Sequence, residues 1–169
     1  MLIHGQYLEQ ALPPTLVKHF NHAFNGIPDL QEFALLNWKG GGGLIWFAPI
    51  CPAVGSEATK QITLMEALSE EFKFDFIDAF FLNGRSMVHL FNLFYDRNNA
   101  EETQRAYAFY DKAQRVFAEA GYGVYRSNPA FMKSTATVYG EAQSHVNKKI
   151  KQALDPNFII SPGMSGITP

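Results

Sequence analysis

Only one cysteine, Cys51, occurs in the 169 residues. A lone thiol excludes an internal disulfide framework and any multi-cysteine zinc or iron–sulfur site built within one chain. An excess of charge is also missing: 14 Lys and Arg stand against 16 Asp and Glu, for a net charge of -2. That balance supplies no positive field for a phosphate backbone or an anionic membrane, so neither nucleic acid nor membrane is expected as a partner. Long hydrophobic runs are absent. The longest uncharged stretch, Gly40 to Ser56, opens on four glycines and contains Pro49 and Pro52, leaving an apolar part too short to span a bilayer. The N-terminus, MLIHGQYLEQALPP, has no cationic region before an apolar run, so no signal peptide is expected and a cytoplasmic location follows. The five histidines form no metal-ligand pattern; His19 and His22, three apart, read better as a solvated helix face, and no metal is expected. What the chain does hold is apolar and aromatic: 47% hydrophobic residues, with 15 Phe, 7 Tyr and 2 Trp. Such a composition lies far from that of disordered chains, and the length suffices for a real core.

Residues 1–40 read as a lead-in segment with one short helical stretch after Pro13-Pro14, where Leu16, Phe20 and Phe24 recur every four residues. Leu44-Ile45-Trp46-Phe47, bounded by glycines and Pro49, predicts a strand. Ser56 is a candidate cap for a helix over 57–72, with Ala58, Ile62, Met65 and Phe72 as its apolar stripe. Asn83-Gly84 is a two-residue hairpin signal. If Leu82 and Arg85 flank it, opposed residues have numbers that sum to about 167, which sets Asp78 opposite His89. Asn99 and Glu102 form a capping box for a helix over about 100–120, its inner face Ala106, Phe109, Ala113, Val116, Phe117 and Ala120, with Gly121 as its stop. Tyr122 to Ser127 predicts a last short strand. Over residues 41–127 the order is strand, helix, strand, strand, helix, strand. That is an α+β, ferredoxin-like antiparallel sheet with flanking helices. Residues 128–169 add a C-terminal helical tail: a stretch opened by Asn128-Pro129, then a helix over 141–154 with Ala142, Val146, Ile150, Ala153 and Leu154 inward.

Several positions could carry chemistry. Asp78 and His89, facing each other among aromatics, fit either an acid/base pair or a structural hydrogen-bonded pair. Gly40 to Gly43 precede a strand and lack a following Lys-Ser or Lys-Thr, so they read as a close-approach loop and not as a phosphate cradle. Cys51, between Ile50 and Pro52 with no cationic neighbour, reads as a small hydrophobe. Tyr125 and Arg126, adjacent at a strand end, can jointly donate to a phenolate, or else form a strand-edge tyrosine beside a solvated arginine.

The run Gly121-Tyr-Gly-Val-Tyr-Arg-Ser-Asn-Pro-Ala-Phe-Met132, with Asn147-Lys-Lys-Ile-Lys-Gln-Ala-Leu-Asp-Pro-Asn157 and Ile160-Ser-Pro-Gly163, resembles the C-terminal end of the vanillyl-alcohol oxidase and p-cresol methylhydroxylase flavoproteins. Leu30-Gln-Glu-Phe33, Gly42 to Pro49, Gly55-Ser-Glu-Ala58 and Arg85 to Arg97 resemble the same family's cap domain, especially its 4-cresol and eugenol hydroxylase branch, so the similarity covers nearly the whole chain. The resemblance implies hydride transfer from the benzylic carbon of a 4-alkylphenol to FAD, giving a quinone methide. It implies that Tyr125 holds the substrate phenolate, that Arg126 stabilises negative charge on substrate or reduced flavin, that Glu32 is an active-site glutamate, and that the Pro162-Gly163 turn and Met164 lie toward the flavin.

Departures from the pattern accompany it. Ala79, Val88 and Asn92 fall where the cresol branch carries Glu, His and Asp; a one-residue change of register would put Asp78 and His89 there instead. Leu36 and Leu44 occupy the positions at which the family joins FAD covalently, and Met164 stands where Lys or Arg is common. No stretch resembles the family's FAD-binding domain with its pyrophosphate-binding loop, so that domain is expected from another polypeptide or is missing, and the chain alone is expected to be inactive. The remaining implied partners are a small phenolic substrate, a cytochrome c or oxygen as electron acceptor, and a second copy in a homodimer. The opposing reading is a stand-alone ferredoxin-like binding module that has kept the scaffold and lost the chemistry.

Overall fold

A computed structural model describes residues 41–135 and 139–167, with positions 14, 17, 18, 21, 22, 25–28 and 39 before them. In the lead-in segment Pro14, Val17, Lys18, Asn21 and His22 are helical, while Leu16, Phe20 and Phe24 and the candidates Glu32, Leu36 and His19 lie outside the described residues.

Five strands form one sheet: β1 (Gly43–Phe47), β2 (Pro49–Pro52), β3 (Asp78–Asn83), β4 (Ser86–Tyr95) and β5 (Gly123–Val124). β4 runs through the middle, with β3 along one side. Along its other side β1 pairs from Gly43↔Tyr95 to Phe47↔Phe91, and β2 from Ile50↔Val88 to Pro52↔Ser86. β1 and β2 thus act as one strand broken at Ala48, where Pro49 has no amide to donate. β5 pairs with β2, and every pairing is antiparallel. With β1 and β2 counted together, this is the expected ferredoxin-like arrangement, shortened at its last strand to two residues.

The helices α1 (Gly55–Phe72) and α2 (Ala100–Glu119) cover one face of the sheet. Alternation decides which residues they cover. Met87, His89, Phe91 and Leu93 of β4 point under the helices and are buried, while Val88, Leu90 and Asn92 face the other way. The core is aromatic: Phe47 meets Tyr110 and Phe117 edge-on at 5.5 and 5.1 Å, and Phe91 stacks on Phe109 at 5.4 Å. Cys51 lies in this core, and burial pushes its thiol pKa up, as suits a small hydrophobe.

The caps differ from each other. Asn99 Oδ1 accepts from the Glu102 amide at 3.1 Å, as the capping box predicts. Ser56 does not cap α1; Val54 is the cap residue and no side chain serves it. The stripe of α1 is also rotated from the expected one, because Gln61, Met65, Leu68 and Ser69 are the buried positions and Ile62 is only half-buried. On α2, Tyr110 and Gln114 are buried and Ala120 is exposed.

The hairpin register is corrected. Asn83 pairs with Ser86, so Gly84 and Arg85 form the turn, and the pairs run Phe80↔His89 and Asp78↔Phe91. Gly84 supplies the positive φ of 60° that the turn requires. Because the displacement is two residues, each side chain keeps its expected face. Gly41 and Gly43 serve close approach: a Cβ on them would lie 2.6 Å from Asp96 Oδ1 and 2.4 Å from the Tyr95 carbonyl oxygen.

Beyond the sheet, Pro129–Phe131 forms only a short 3-10 turn, and α3 spans Glu141–Leu154. The expected inward face of α3 is not inward. None of its residues is buried, and Val146, Ile150 and Leu154 are 49%, 54% and 78% exposed. Asp155 ties its end: the carboxylate accepts from the Ile159 and Ile160 amides and pairs with Lys151 at 2.5 Å. No helix among the described residues is long and apolar enough to cross a membrane.

Candidate functional site

The sheet face that the helices leave bare carries a groove of about 1180 Å³. Its floor is Leu44 and Trp46 from β1 with Val88 and Leu90 from β4, extended by Phe81 of β3. Trp46 is held in place by a hydrogen bond from its indole Nε1 to Asn92 Oδ1, 2.8 Å. Asn92 in turn donates to the Ile77 carbonyl at 3.3 Å. The Asn that stands in place of an acidic residue is therefore a brace for the indole.

One end of the groove is formed by Tyr125 to Met132. The Tyr125 amide donates to the Ala48 carbonyl at 2.7 Å, extending the β5 pairing by one residue and fixing where the tyrosine leaves the sheet. Its side chain is 62% exposed, and the Arg126 guanidinium stands 5.9 Å from its ring centroid. The wall behind them is anchored by Phe131, buried and stacked on Tyr110 at 4.0 Å, while Asn128 Oδ1 accepts from the Ala130 amide. Tyr95, Arg97, Thr103 and Tyr107 also line the groove, with Tyr107 meeting Phe131 edge-on at 5.2 Å. Among the described residues no Asp, Glu or His lines the groove. The described residues give it formal charge only on Arg97 and Arg126, beside the hydroxyls of three tyrosines.

Asp78 and His89 are brought together, but not here. They meet diagonally across the hairpin, His89 Nε2 to Asp78 Oδ2 at 2.9 Å, on the face that the helices cover. The imidazole is fully buried and stacks on Phe80 at 4.3 Å, and its Nδ1 has no partner. Burial lowers the His89 pKa, against the opposing pull of the Asp78 hydrogen bond and charge. Gly163 and Met164 are not among the groove-lining residues; Gly163 adopts a positive φ of 76° and Met164 is 40% exposed. A third polar pair sits at the edge of the core, where the Tyr122 hydroxyl donates to Glu57 Oε2 at 2.8 Å. Burial first and the Glu57 carboxylate second push that phenol up to about 12.

Sequence reasoning singled out Tyr125 and Arg126, which line the groove, but not Tyr95, Arg97 or Tyr107. Arg97 ends the family-like stretch from Arg85 without standing out in it, and only the β1–β4 pairing brings it to the groove. Trp46 was findable, because it alternates with Leu44 on the face opposite Ile45 and Phe47.

The α+β layer, an antiparallel sheet with helices on one face, matches the C-terminal cap of FAD-linked oxidases. The chain belongs to the family of FAD linked oxidases, C-terminal domain, whose model matches residues 53–165. It is 41% identical to the 4-cresol dehydrogenase [hydroxylating] flavoprotein subunit of Pseudomonas putida, over 94% of this chain and 30% of that protein. It is 32% identical to 1'-carboxy-chondrochloren decarboxylase of Chondromyces crocatus, over 72% of this chain and 22% of that protein. Among solved structures, p-cresol methylhydroxylase with substrate bound matches with a TM-score of 0.84 and 39% identity, over 96% of this chain and 31% of that one. The isoeugenol complex of 4-ethylphenol oxidase from Gulosibacter chungangensis matches with a TM-score of 0.82 and 28% identity, over 94% and 32%. The chain spans about a third of the length of these solved relatives.

Proposed function

We propose that this chain supplies the phenol-binding wall of an FAD-dependent oxidoreductase acting on 4-alkylphenols, and that the flavin is held mainly by an FAD-binding domain outside these 169 residues. The observation that carries this reading is the sheet face left bare by the helices and ending in Tyr125 and Arg126, with no carboxylate among the described groove-lining residues to compete for the guanidinium. The residues fit a flat aromatic group: Trp46, Val88 and Leu90 offer an apolar floor for its face, and Arg126 offers positive charge at its edge. They do not include a cradle for the cofactor's phosphates among the described residues. Bound FAD would supply the hydride acceptor.

The work of the chain's own groups is to favour the ionised phenol, which is the stronger hydride donor. Tyr125 Oη donates a hydrogen bond to the phenolate oxygen and Arg126 adds its charge. Magnitudes explain why this needs a cover. A charge pair at 4 Å gains about 1 kcal/mol in water but about 4 kcal/mol at a protein-like dielectric. With Tyr125 mostly exposed, the chain alone sits near the first limit. A complementary FAD domain that closes over the groove moves the site to the second. Under this reading α3 and the tail pack on that domain, electrons leave to a cytochrome c or to oxygen, and the assembly can be a homodimer.

The competing reading is a non-catalytic binding module, favoured by the lack of an Asp, Glu or His among the described groove-lining residues. Turnover separates the two. The chain purified with excess FAD should be silent on 4-alkylphenols, and should turn over when mixed with a complementary FAD-domain polypeptide. Tyr125→Phe in the mixture should then lower kcat/KM by about tenfold or more, in line with loss of a charge-assisted hydrogen bond. Silence with the complement would leave the binding module standing.

A further inference from the structure

Around the C-terminal end of β4 the groove repeats the chemistry of its Tyr125 end. Arg97 lines it there with Tyr95, Thr103 and Tyr107, and Thr103 Oγ1 is sheltered without a hydrogen-bond partner. Burial raises the Tyr95 pKa and the neighbouring Tyr107 adds to that, while the charge of Arg97 acts in the opposite direction. Arg97 has no ion-pair partner among the described residues. The carboxylate next to it in sequence, Asp96, is committed elsewhere, its Oδ1 accepting from the backbone amides of Gly41 and Asn98. An unneutralised guanidinium among hydroxyls and aromatic rings is a site for a carboxylate.

The two ends are set apart by the strand between them. Tyr95 pairs with Gly43 at the start of β1, whereas the Tyr125 amide bonds to Ala48 just past its end. Five residue steps of extended chain make that separation about 16 Å between backbones, and both arginines line the groove. The floor between them is apolar. A ligand that satisfies both ends must be elongated, flat in the middle and anionic at the end away from its phenol.

We infer that Arg97 is a specificity-determining residue that binds a carboxylate on the para side chain of the phenol, so that the groove selects 4-alkylphenols whose chain ends in a carboxylate over uncharged ones. This rests on the reading of the groove as a phenol site. Ligand-observed NMR titrations of the full chain separate the two claims, with 3-(4-hydroxyphenyl)propanoate and its uncharged counterpart 4-propylphenol as probes. The propanoate is expected to bind about fivefold more tightly at low ionic strength, the ratio given by about 1 kcal/mol for an ion pair open to water. Arg97→Gln should erase that preference while leaving 4-propylphenol unchanged, Arg97→Lys should keep part of it, and salt should shrink it. Equal affinities in the parent chain, or a preference that survives Arg97→Gln, would overturn the role of Arg97 and leave the phenol site intact. Binding of neither probe at millimolar concentration would overturn both.

Discussion

At the scale of single residues, the buried His89 shows how one contact can look catalytic and act structurally. Its ring is fully buried with Nδ1 unpartnered, so the Asp78 hydrogen bond is the only polar satisfaction it receives. Asp78→Ala should destabilise the fold by about 1–3 kcal/mol, the usual cost of a buried group left unpaired, without weakening phenol binding on the opposite face. Acid should have a related effect. Burial lowers the His89 pKa, so the folded state resists a proton that the unfolded chain accepts below about 6.5. The unfolded state then binds more protons, and stability falls as pH drops below that value. Urea unfolding at pH 7.5, 6 and 5 checks this: His89→Leu should flatten the acid limb, and an unchanged limb would remove His89 as its source. The sequence brought Asp78 and His89 together by period-two alternation. It misplaced their direct partners because a hairpin's register depends on which two residues occupy the turn, and Asn83-Gly84 and Gly84-Arg85 are both compatible with the same faces.

Helices and strands were legible where a local rule governs them. The Asn99 cap is such a case, because the bond to the Glu102 amide joins residues three apart. Asn99→Ala should cost about 1 kcal/mol and lower the melting temperature by about 2–4 °C for a chain of this length. Ser56→Ala, at the position that looks equally like a cap but makes no capping bond, should leave it unchanged within error. Equal losses in thermal melts would mean that Ser56 caps α1 after all. Which stripe of α1 turns inward was harder to read. Gln61 and Ser69 are buried there in place of Ile62, because the helix is oriented by its packing against α2 and the sheet and not by its own hydrophobic maximum.

At the scale of the whole molecule, one apolar face has no partner within the described residues. Val146, Ile150 and Leu154 line up on α3, and Asp155 holds the following turn so that Ile159 and Ile160 are also exposed. If a complementary FAD domain covers this ridge, Ile150→Asp should raise the complement concentration needed for half-maximal turnover at least tenfold while the chain's own melting temperature stays within a degree or two. Unaltered complementation would show that the ridge lies outside the interface. The sequence by itself determined the strand and helix order, the two faces of the hairpin and the tyrosine–arginine pair, because each follows from periodicity, turn chemistry or residues adjacent in the chain. Only the tertiary structure decided that helices cover the His89 face and leave the Trp46 face open, and that Arg97 closes a groove begun by Tyr125. Those outcomes depend on which sheet face two crossover helices cover and on pairing between strands some fifty residues apart, neither of which is encoded in a local pattern.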